Sequence, residues 1–281
     1  MAELSLPLPT VTPYDQFTFW WTWSAARGWE KEVLQGDIDA DTDLGAVERE
    51  DWKKFKDTRP EYAASPDYLE EQDYSQITDG LVGDYVRIFL GAALIRVRKS
   101  KGGDPDEAIP QIVNRTFRWL SGTDFFTAPA STRFHGSYPA GLLQHSLEVA
   151  QRAAHLYKLP EFASVAPESI FLVALVHDWC KIHLYESFMR NVKDEETGVW
   201  HKEPAYRRAD KPYIPLGHGD ASVFLCQRHF RLTLEEVCAI KWHMGKWATH
   251  DYDDNDMRAA ETTYPVVHML QFADNLSTAS Y

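Results

Sequence analysis

The chain has 281 residues, of which 42 are acidic and 29 basic, so its formal net charge at pH 7 is −13. This length suits one large domain, or one domain with a smaller companion, and an aromatic content of 13% excludes a chain that is disordered throughout. The acidic balance argues against a broad basic surface for gripping a nucleic-acid backbone, although it leaves room for a local basic pocket.

The cysteines and the apolar segments indicate the compartment. Cys180, Cys226 and Cys238 form no C-x-x-C pair, which argues against a disulfide framework and against a thiolate zinc site. The N-terminus lacks the basic region and the apolar core of a signal peptide. The longest apolar run, in SIFLVALV, is too short to span a bilayer. We therefore expect a cytoplasmic protein that makes no use of a membrane.

Residues 1–78 are predicted to form an N-terminal extension that is mostly helical or irregular. The Trp-rich segment 17–35, FTFWWTWSAARGWEKEVLQ, either fills a local core or contacts a second copy of the chain in a homo-oligomer. Residues 36–78 are the most polar stretch and are typical of a solvated acidic connection. Their DIDADTD run lacks the central Gly and the terminal Glu of a calcium loop.

From residue 79 onward the apolar spacing is helical. Helices are predicted at 79–99, 106–121 and 142–159, and a further one starts at Pro167 and continues to residue 185 through ESIFLVALVHDWCKIHLY. That last helix is apolar nearly all round, as a central buried helix is. Segment 190–214 is predicted to hold a β-hairpin, and helices resume at 217–230, 232–244 and 262–280. Residues 79–281 are thus expected to form one all-α domain with a small hairpin insertion.

Polar residues end or interrupt the apolar runs of these helices. They are His145, His177, Asp178, His218, His243 and Asp274. Buried ionisable groups cost several kcal/mol unless they are paired or bind a metal, so a shared metal site explains the six together. Imidazole and carboxylate without thiolate suit Mn, Fe, Co, Ni or Zn, with Mg admissible at a second position. Asp178 directly follows His177, and its second oxygen could reach another metal, as bridging carboxylates do in two-metal phosphoester hydrolases.

Five strings carry these residues: FHGSYPAGLLQHSLEVA, ALVHDWCKI, PLGHGD, AIKWHMG and QFADNL. In their order, His … His-Asp … His … His … Asp, the chain resembles the HD-domain metal-dependent phosphohydrolases over residues 107–281. Within that superfamily it looks most like the YhaM-type 3′-to-5′ exoribonucleases and related phage and bacterial HD hydrolases. The resemblance implies an all-α HD fold with a metal centre among its helices.

The resemblance also implies a role for each ligand. One metal would be held by His145, His177, Asp178 and Asp274. Asp178 would bridge to a second metal, completed by His218 and His243. Lys181 matches the Lys of the HD-x-x-K pattern and would neutralise phosphate oxygens. The chain departs from the exoribonucleases in two places: Met244 follows His243 where they carry a second His, and residues 1–78 contain no evident nucleic-acid-binding domain.

The predicted reaction is attack of a metal-activated water on a phosphoester, with Asp178 and Lys181 in the catalytic set. His135 would assist a leaving group or position a phosphate. Other candidates for phosphate binding lie beside the motifs: Arg133, Arg190, Lys193, Lys211 and Lys241. The segment 188–214, inserted between two ligand motifs, could form a lid or a wall of the substrate site.

Three functions remain open from the sequence. A small phosphorylated substrate, a nucleotide in the first place, is favoured because a chain of charge −13 repels a long anionic polymer. The alternative is a 3′-to-5′ exonuclease or phosphodiesterase acting on RNA or single-stranded DNA. A non-catalytic, metal-stabilised regulatory or binding module is the third, and the complete set of His, Asp and Lys argues against it.

Overall fold

The computed structural model describes residues 74–100, 112, 115–117, 119–195, 197–211, 213–248 and 254–278. The Trp-rich segment, the acidic connection and the oligomer contact predicted for them lie outside the described residues. The chain divides into two compact units at Gly122 and Thr123. The predicted domain boundary after residue 78 stays a prediction.

Helix α1, Tyr74–Lys99, dominates the described part of the first unit. Its buried positions Val82, Tyr85, Phe89 and Val97 follow the three- and four-residue spacing of one helical face. Phe117 packs edge-on against Tyr85 and Phe89, with ring centroids 6.2 and 5.2 Å apart. Residues 115–117 and 119–121 are helical, inside the predicted helix 106–121.

The second unit consists of helices and one β-hairpin, and this confirms the predicted fold class. Its helices are α2 Gly141–Leu156, α3 Pro167–Val176, α4 His218–Gln227, α5 Leu234–Trp242, α6 Asp254–Thr263 and α7 Pro265–Thr278. Short 3₁₀ turns lie at Pro160–Phe162, Trp179–Lys181 and Gly245–Ala248. Helix α3 is buried from Glu168 to Val176 and packs against α2, α5 and α7. It is the central helix that its all-round apolar sequence predicts.

Helix α3 ends at Val176 and does not continue to residue 185 as predicted. Asp178 leaves the helical conformation, at φ −104° and ψ 19°. The backbone N–H of Cys180 donates to the Ser222 hydroxyl of α4, 3.0 Å away, and not to a carbonyl of its own helix. A side chain 42 residues further along the chain therefore satisfies the donor that would have continued α3.

The predicted hairpin is present and starts earlier than expected. Strands β1, Tyr185–Lys193, and β2, Trp200–Arg208, pair antiparallel from Tyr185↔Arg208 to Lys193↔Trp200. At the turn Gly198 adopts φ +71°, a conformation that favours glycine. At the base the N–H of Ala209 donates to the carbonyl of Leu184, 2.9 Å away, which holds the two ends of the insertion together.

The C-terminal part holds two helices where one was predicted. Helix α6 ends at Thr263 and α7 begins at Pro265, with Tyr264 between them. Proline lacks a backbone donor and disfavours the helical conformation of the residue before it. Residues 254–261 are helical although no helix was predicted there.

Candidate metal centre

The six predicted ligand residues come from five helical segments and meet at one place. His145 lies on α2, His177 and Asp178 follow α3 directly, His218 opens α4, His243 follows α5 and Asp274 lies on α7. All are buried except His218, whose side chain is 24% exposed. The open side of the centre is therefore at His218.

One oxygen of Asp178 faces the first group of donors. Its Oδ2 lies 3.4 Å from His145 Nε2 and 3.4 Å from His177 Nε2. Oδ1 of Asp274 approaches the same two nitrogens, at 3.1 and 3.8 Å. These four side chains match the set that the family resemblance implies for one metal.

The other oxygen of Asp178 faces the second group. Its Oδ1 lies 2.8 Å from His218 Nε2 and 3.6 Å from His243 Nε2. The His243 ring contacts the rings of both His177 and His218, with centroid distances of 4.8 Å and 5.2 Å. Asp178 thus stands between two groups of nitrogen donors and offers one oxygen to each.

Contacts behind three of the imidazoles fix their orientation. Nδ1 of His177 donates to the carbonyl of Ala174 at 2.9 Å, and Nδ1 of His243 donates to that of Ile240 at 2.7 Å. Nδ1 of His145 lies 3.3 Å from the hydroxyl of Ser277. With Nδ1 turned outward, Nε2 of each ring points into the centre, which is how metal-ligating histidines are arranged.

Two observations show that these residues fit a divalent cation. Nε2 atoms of His145 and His177 face one another at 3.3 Å, and oxygens of Asp178 and Asp274 lie 3.1 to 3.8 Å from them, so imidazole and carboxylate donors converge on one point. Nε2 of His243 is buried and has no hydrogen-bond partner among the described residues, which is costly for a polar atom. Ligand atoms of His145, His177 and Asp178, and those of His177, His243 and Asp274, lie within 4.8 Å of one another.

The electrostatics keep both carboxylates ionised. Burial alone would raise the pKa of Asp178, but the charges of Lys181 and His177 hold it well below its usual range. Burial likewise opposes ionisation of Asp274, and its hydrogen bond from His145 holds the pKa low. For His145, hydrogen bonds to the two carboxylates outweigh burial and raise the pKa to about 9. A charged carboxylate pair among imidazoles is a donor set that attracts a cation.

Lys181 and His135, the other predicted catalytic residues, flank the ligands. Nζ of Lys181 lies 2.7 Å from Asp178 Oδ2, and its charge is stabilised there. The His135 ring centroid lies 5.0 Å from that of His145. Burial and the charges of His145 and Lys181 lower the pKa of His135 to about 4, so this ring is neutral at pH 7 and suits positioning better than proton donation.

The five predicted phosphate-binding cations have different surroundings. Lys241 pairs with Asp220 at 3.2 Å and lies over the Trp242 ring at 4.7 Å. Arg190 pairs with Glu203 across the hairpin at 3.3 Å. The other three are exposed: Arg133, Lys193 and Lys211. Their role in binding substrate stays a prediction.

Sequence reasoning missed Cys180. Its Sγ lies 3.5 Å from His218 Nε2 and 4.0 Å from Asp178 Oδ1, so a thiol adjoins the second group of donors. Burial and the Asp178 charge raise the pKa of this thiol. Its position two residues after Asp178 was the available signal, but three scattered cysteines gave no motif to act on.

Two close backbone approaches, each at a glycine, position parts of the site. A Cβ on Gly219 would overlap the carbonyl of Lys241, so glycine allows the start of α4 to touch the end of α5. This contact brings His218 beside His243. A Cβ on Gly141 would overlap the carbonyl of Gly136 in the same way, and that approach holds the His135 loop against the start of α2.

One family model matches the part of the chain that contains this site. Residues 142–279 match the family model described as HD domain, a family of metal-dependent phosphohydrolases. The matched segment runs from Leu142 in α2 to the end of α7 and contains all six candidate ligand residues. No curated protein and no solved structure gives a significant match. No helix in the described part of the chain is both long enough and apolar enough to cross a bilayer.

Proposed function

We propose that the HD domain formed by residues 142–279 hydrolyses a phosphoester of a nucleotide with the help of two divalent metal ions. The observation that carries this proposal is the position of Asp178, whose Oδ2 and Oδ1 face separate donor groups at 3.4 Å and 2.8 Å. A carboxylate shared between two metals is the common core of phosphoester hydrolases that use a pair of ions.

The chain's own residues prepare the centre for this chemistry. Asp178 and Asp274 are ionised, and the Nε2 atoms of His145, His177 and His243 point inward without rearrangement. When bound, the metals lower the pKa of a water and balance charge on the phosphoryl oxygens. Imidazole and carboxylate donors suit Mn, Fe, Co, Ni or Zn.

Lys181 supplies a fixed positive charge beside the metal ligands. It is buried, and its ammonium contacts the Asp178 oxygen that also faces His145 and His177. A phosphoryl oxygen that approaches this group meets a preorganised cation, and such charges stabilise a transition state most in a dry site. The neutral ring of His135, on the other side of His145, can hold a phosphate oxygen or a leaving group by a hydrogen bond.

A cavity of about 370 Å³ supports a nucleotide as substrate. Its walls include Tyr213, Leu216, Phe224 and Arg228, and Leu216 lies two residues before His218. Apolar and aromatic walls with a few polar groups are typical of small-ligand sites of this size. An aromatic ring and a guanidinium can both stack on a nucleobase.

The experiment combines metal analysis with a substrate panel. The purified full-length chain is loaded with Mn²⁺, Co²⁺, Ni²⁺, Zn²⁺ or Mg²⁺ and assayed on bis(4-nitrophenyl) phosphate, nucleoside phosphates, cyclic nucleotides and labelled oligonucleotides. We expect metal-dependent release of product, lost in Asp178→Ala and retained in Asp220→Ala, whose carboxylate is exposed and lies outside the centre. Bound metal without any turnover would favour a regulatory module instead.

The second candidate, a 3′-to-5′ exonuclease or phosphodiesterase on RNA or single-stranded DNA, is favoured by one specific observation. The hairpin that follows Lys181 has one face that carries cations and aromatic rings without acidic residues. A cytoplasmic location and a homo-oligomer stay predictions.

A further inference from the structure

We propose that one face of the hairpin binds single-stranded nucleic acid and leads it to the metal centre. This inference rests on the proposed phosphoester hydrolysis, and for the same site it argues the second candidate substrate, a single strand. The face, called the stacking face below, carries three aromatic residues and three cations: Tyr185, Trp200, Tyr206, Lys193, Lys202 and Arg208.

The strand register defines the stacking face. In an antiparallel ladder, directly facing residues share a side, and that side alternates along each strand. The pairs Tyr185↔Arg208, Ser187↔Tyr206, Met189↔Pro204, Asn191↔Lys202 and Lys193↔Trp200 therefore lie together. No acidic residue occurs among these ten. Both acidic residues of the two strands, Glu186 and Glu203, fall on the opposite face.

On the opposite face, called the paired face, the arginines are already neutralised. Arg207 donates to Glu186 at 2.6 Å, and its guanidinium lies over the Phe188 ring at 5.5 Å. Arg190 donates to Glu203 at 3.3 Å. These contacts balance the charge of the paired face and occupy both of its arginines with carboxylates.

The cations of the stacking face have no such partner. Within the described residues, no ion pair involves Lys193, Lys202 or Arg208. The Trp200 ring is 66% exposed at the tip of the hairpin. From Trp200 to Arg208 the strand extends roughly 25 Å at about 3.3 Å per residue, so charges and rings are spread along a ribbon long enough for several nucleotides.

Single-stranded nucleic acid fits this chemistry. Cations that follow a sugar–phosphate backbone and aromatic rings that stack on unpaired bases are the two elements of strand-binding surfaces. A duplex hides its bases from such rings, and an acidic peptide would use the cations but give the rings no bases to stack on. The acidic net charge of the chain does not oppose binding at this face, because neither acidic residue of the two strands lies on it.

The base of the hairpin connects the stacking face to the metal centre. The N–H of Leu184 donates to the carbonyl of Lys181 at 3.1 Å, so the hairpin starts at the turn that carries Lys181. The pKa of Tyr185 is raised, mainly by burial, and the charges of Lys181 and Asp178 act on the same phenol. A strand lying along the stacking face would therefore reach the centre at Tyr185 and Lys181.

The test measures binding with matched variants. A fluorescent 12-nucleotide single strand with a hydrolysis-resistant phosphorothioate backbone, as DNA and as RNA, is titrated with the metal-loaded full-length chain. Trp200→Ala is compared with Phe188→Ala, and Lys202→Gln with Arg207→Gln, so that each pair sets an aromatic residue or a cation of the stacking face against one of the paired face. We expect Trp200→Ala to weaken binding about 5- to 150-fold, the range for loss of one stacked base. We expect Lys202→Gln to reduce the slope of log K against log salt by about 0.7.

The outcomes separate this inference from the proposed function. Equal losses on both faces, stronger binding of polyglutamate, or stronger binding of vesicles containing phosphatidylserine would overturn the strand-binding face. Hydrolysis of bis(4-nitrophenyl) phosphate by a chain that binds no oligonucleotide would overturn it as well, yet leave the phosphohydrolase intact. Strand binding without hydrolysis of any phosphoester would keep the face and remove the proposed function on which its role as a substrate site depends.

Discussion

Replacing Asp178 with asparagine gives the sharpest test of the metal centre, because the side chain keeps its size and loses its charge. In the native chain Asp178 is 3% exposed and Lys181 is 10% exposed, and their charged atoms are 2.7 Å apart. The Asp178→Asn substitution would leave the Lys181 ammonium buried beside imidazoles without a counter-charge. It would also remove the one carboxylate that both donor groups share.

The expected loss of stability follows from that burial. Removing one partner of a buried ion pair costs about 3–5 kcal/mol, and in a unit of this size each kcal/mol lowers Tm by about 2–4 °C. We therefore expect Asp178→Asn to lower the Tm of the metal-free protein by roughly 6–20 °C. With metal present the difference should widen, because metal that binds only the folded state stabilises it further.

Asp220→Asn is the matched control for this substitution. Asp220 also pairs with a lysine, Lys241, but the two side chains are 52% and 36% exposed, so the change in unfolding free energy should stay within about 1 kcal/mol. Calorimetry with and without a chelator, and elemental analysis of the dialysed protein, give both readouts. An Asp178→Asn variant that unfolds like the wild type and retains two metals would refute the bridging assignment.

Three further predictions concern other parts of the site. Gly219→Ala should weaken metal binding at His218 and destabilise the fold by about 1–3 kcal/mol through overpacking, because its Cβ overlaps the backbone of Lys241. The control is Gly83→Ala, whose Cβ has nothing within 4 Å and which should be neutral or slightly stabilising. Equal urea midpoints for the two variants would contradict this prediction. The unfolding free energy of the metal-free protein should be greatest near pH 6.5, the ordinary value for histidine. The pKa of His145 is raised to about 9, so its contribution to the unfolding free energy is complete below pH 6.5 and is lost as the pH rises through 9. The pKa of His135 is lowered to about 4, so the folded state loses stability as the pH falls below 6.5. Urea titrations at pH 5, 6.5 and 9 test this, and a stability that rises steadily with pH would disprove it. The third change replaces residues 185–208 by Asn-Gly, because the N–H of Ala209 already donates to the carbonyl of Leu184 at 2.9 Å and joins the two ends. Metal content, measured by elemental analysis, should stay unchanged, and substrate preference, measured with the substrate panel, should alter. Unchanged kinetics on every substrate would disprove a role for the insertion.

The burial of the candidate ligands was predictable because the local sequence constrains it. His177, Asp178 and Asp274 stand where apolar runs would otherwise continue, and a polar group in such a place needs a partner or a metal. Pro167 at the first turn of α3 and Thr233 before α5 are equally local signals; the Thr233 hydroxyl accepts from the N–H of Glu236 in the observed capping box.

Features that depend on distant parts of the chain were not predictable in the same way. The residues after Val176 continue a helical apolar pattern, and only the bond from Cys180 to Ser222 shows that the helix ends there. The guanidinium of Arg190 is a group that suits phosphate binding, but the strand register places it opposite Glu203, with which it pairs. The approach of α4 to α5 at Gly219 likewise depends on tertiary packing that one sequence does not display.

The hairpin lies outside the helices that carry the candidate ligands. It is inserted between Asp178 and His218, yet its two ends meet at Leu184 and Ala209, so its strands can change without moving either ligand. The candidate ligands lie on or directly after α2, α3, α4, α5 and α7; helix α3 packs on α2, α5 and α7, and α4 packs on α5. In the proposed function the matched helical domain would cleave the phosphoester, and the residues on the two faces of the hairpin would select the molecule that is brought to the metals. Under that proposal, the distribution of charge between the two faces is a better guide to the substrate than the net charge of the whole chain, which favours a small nucleotide.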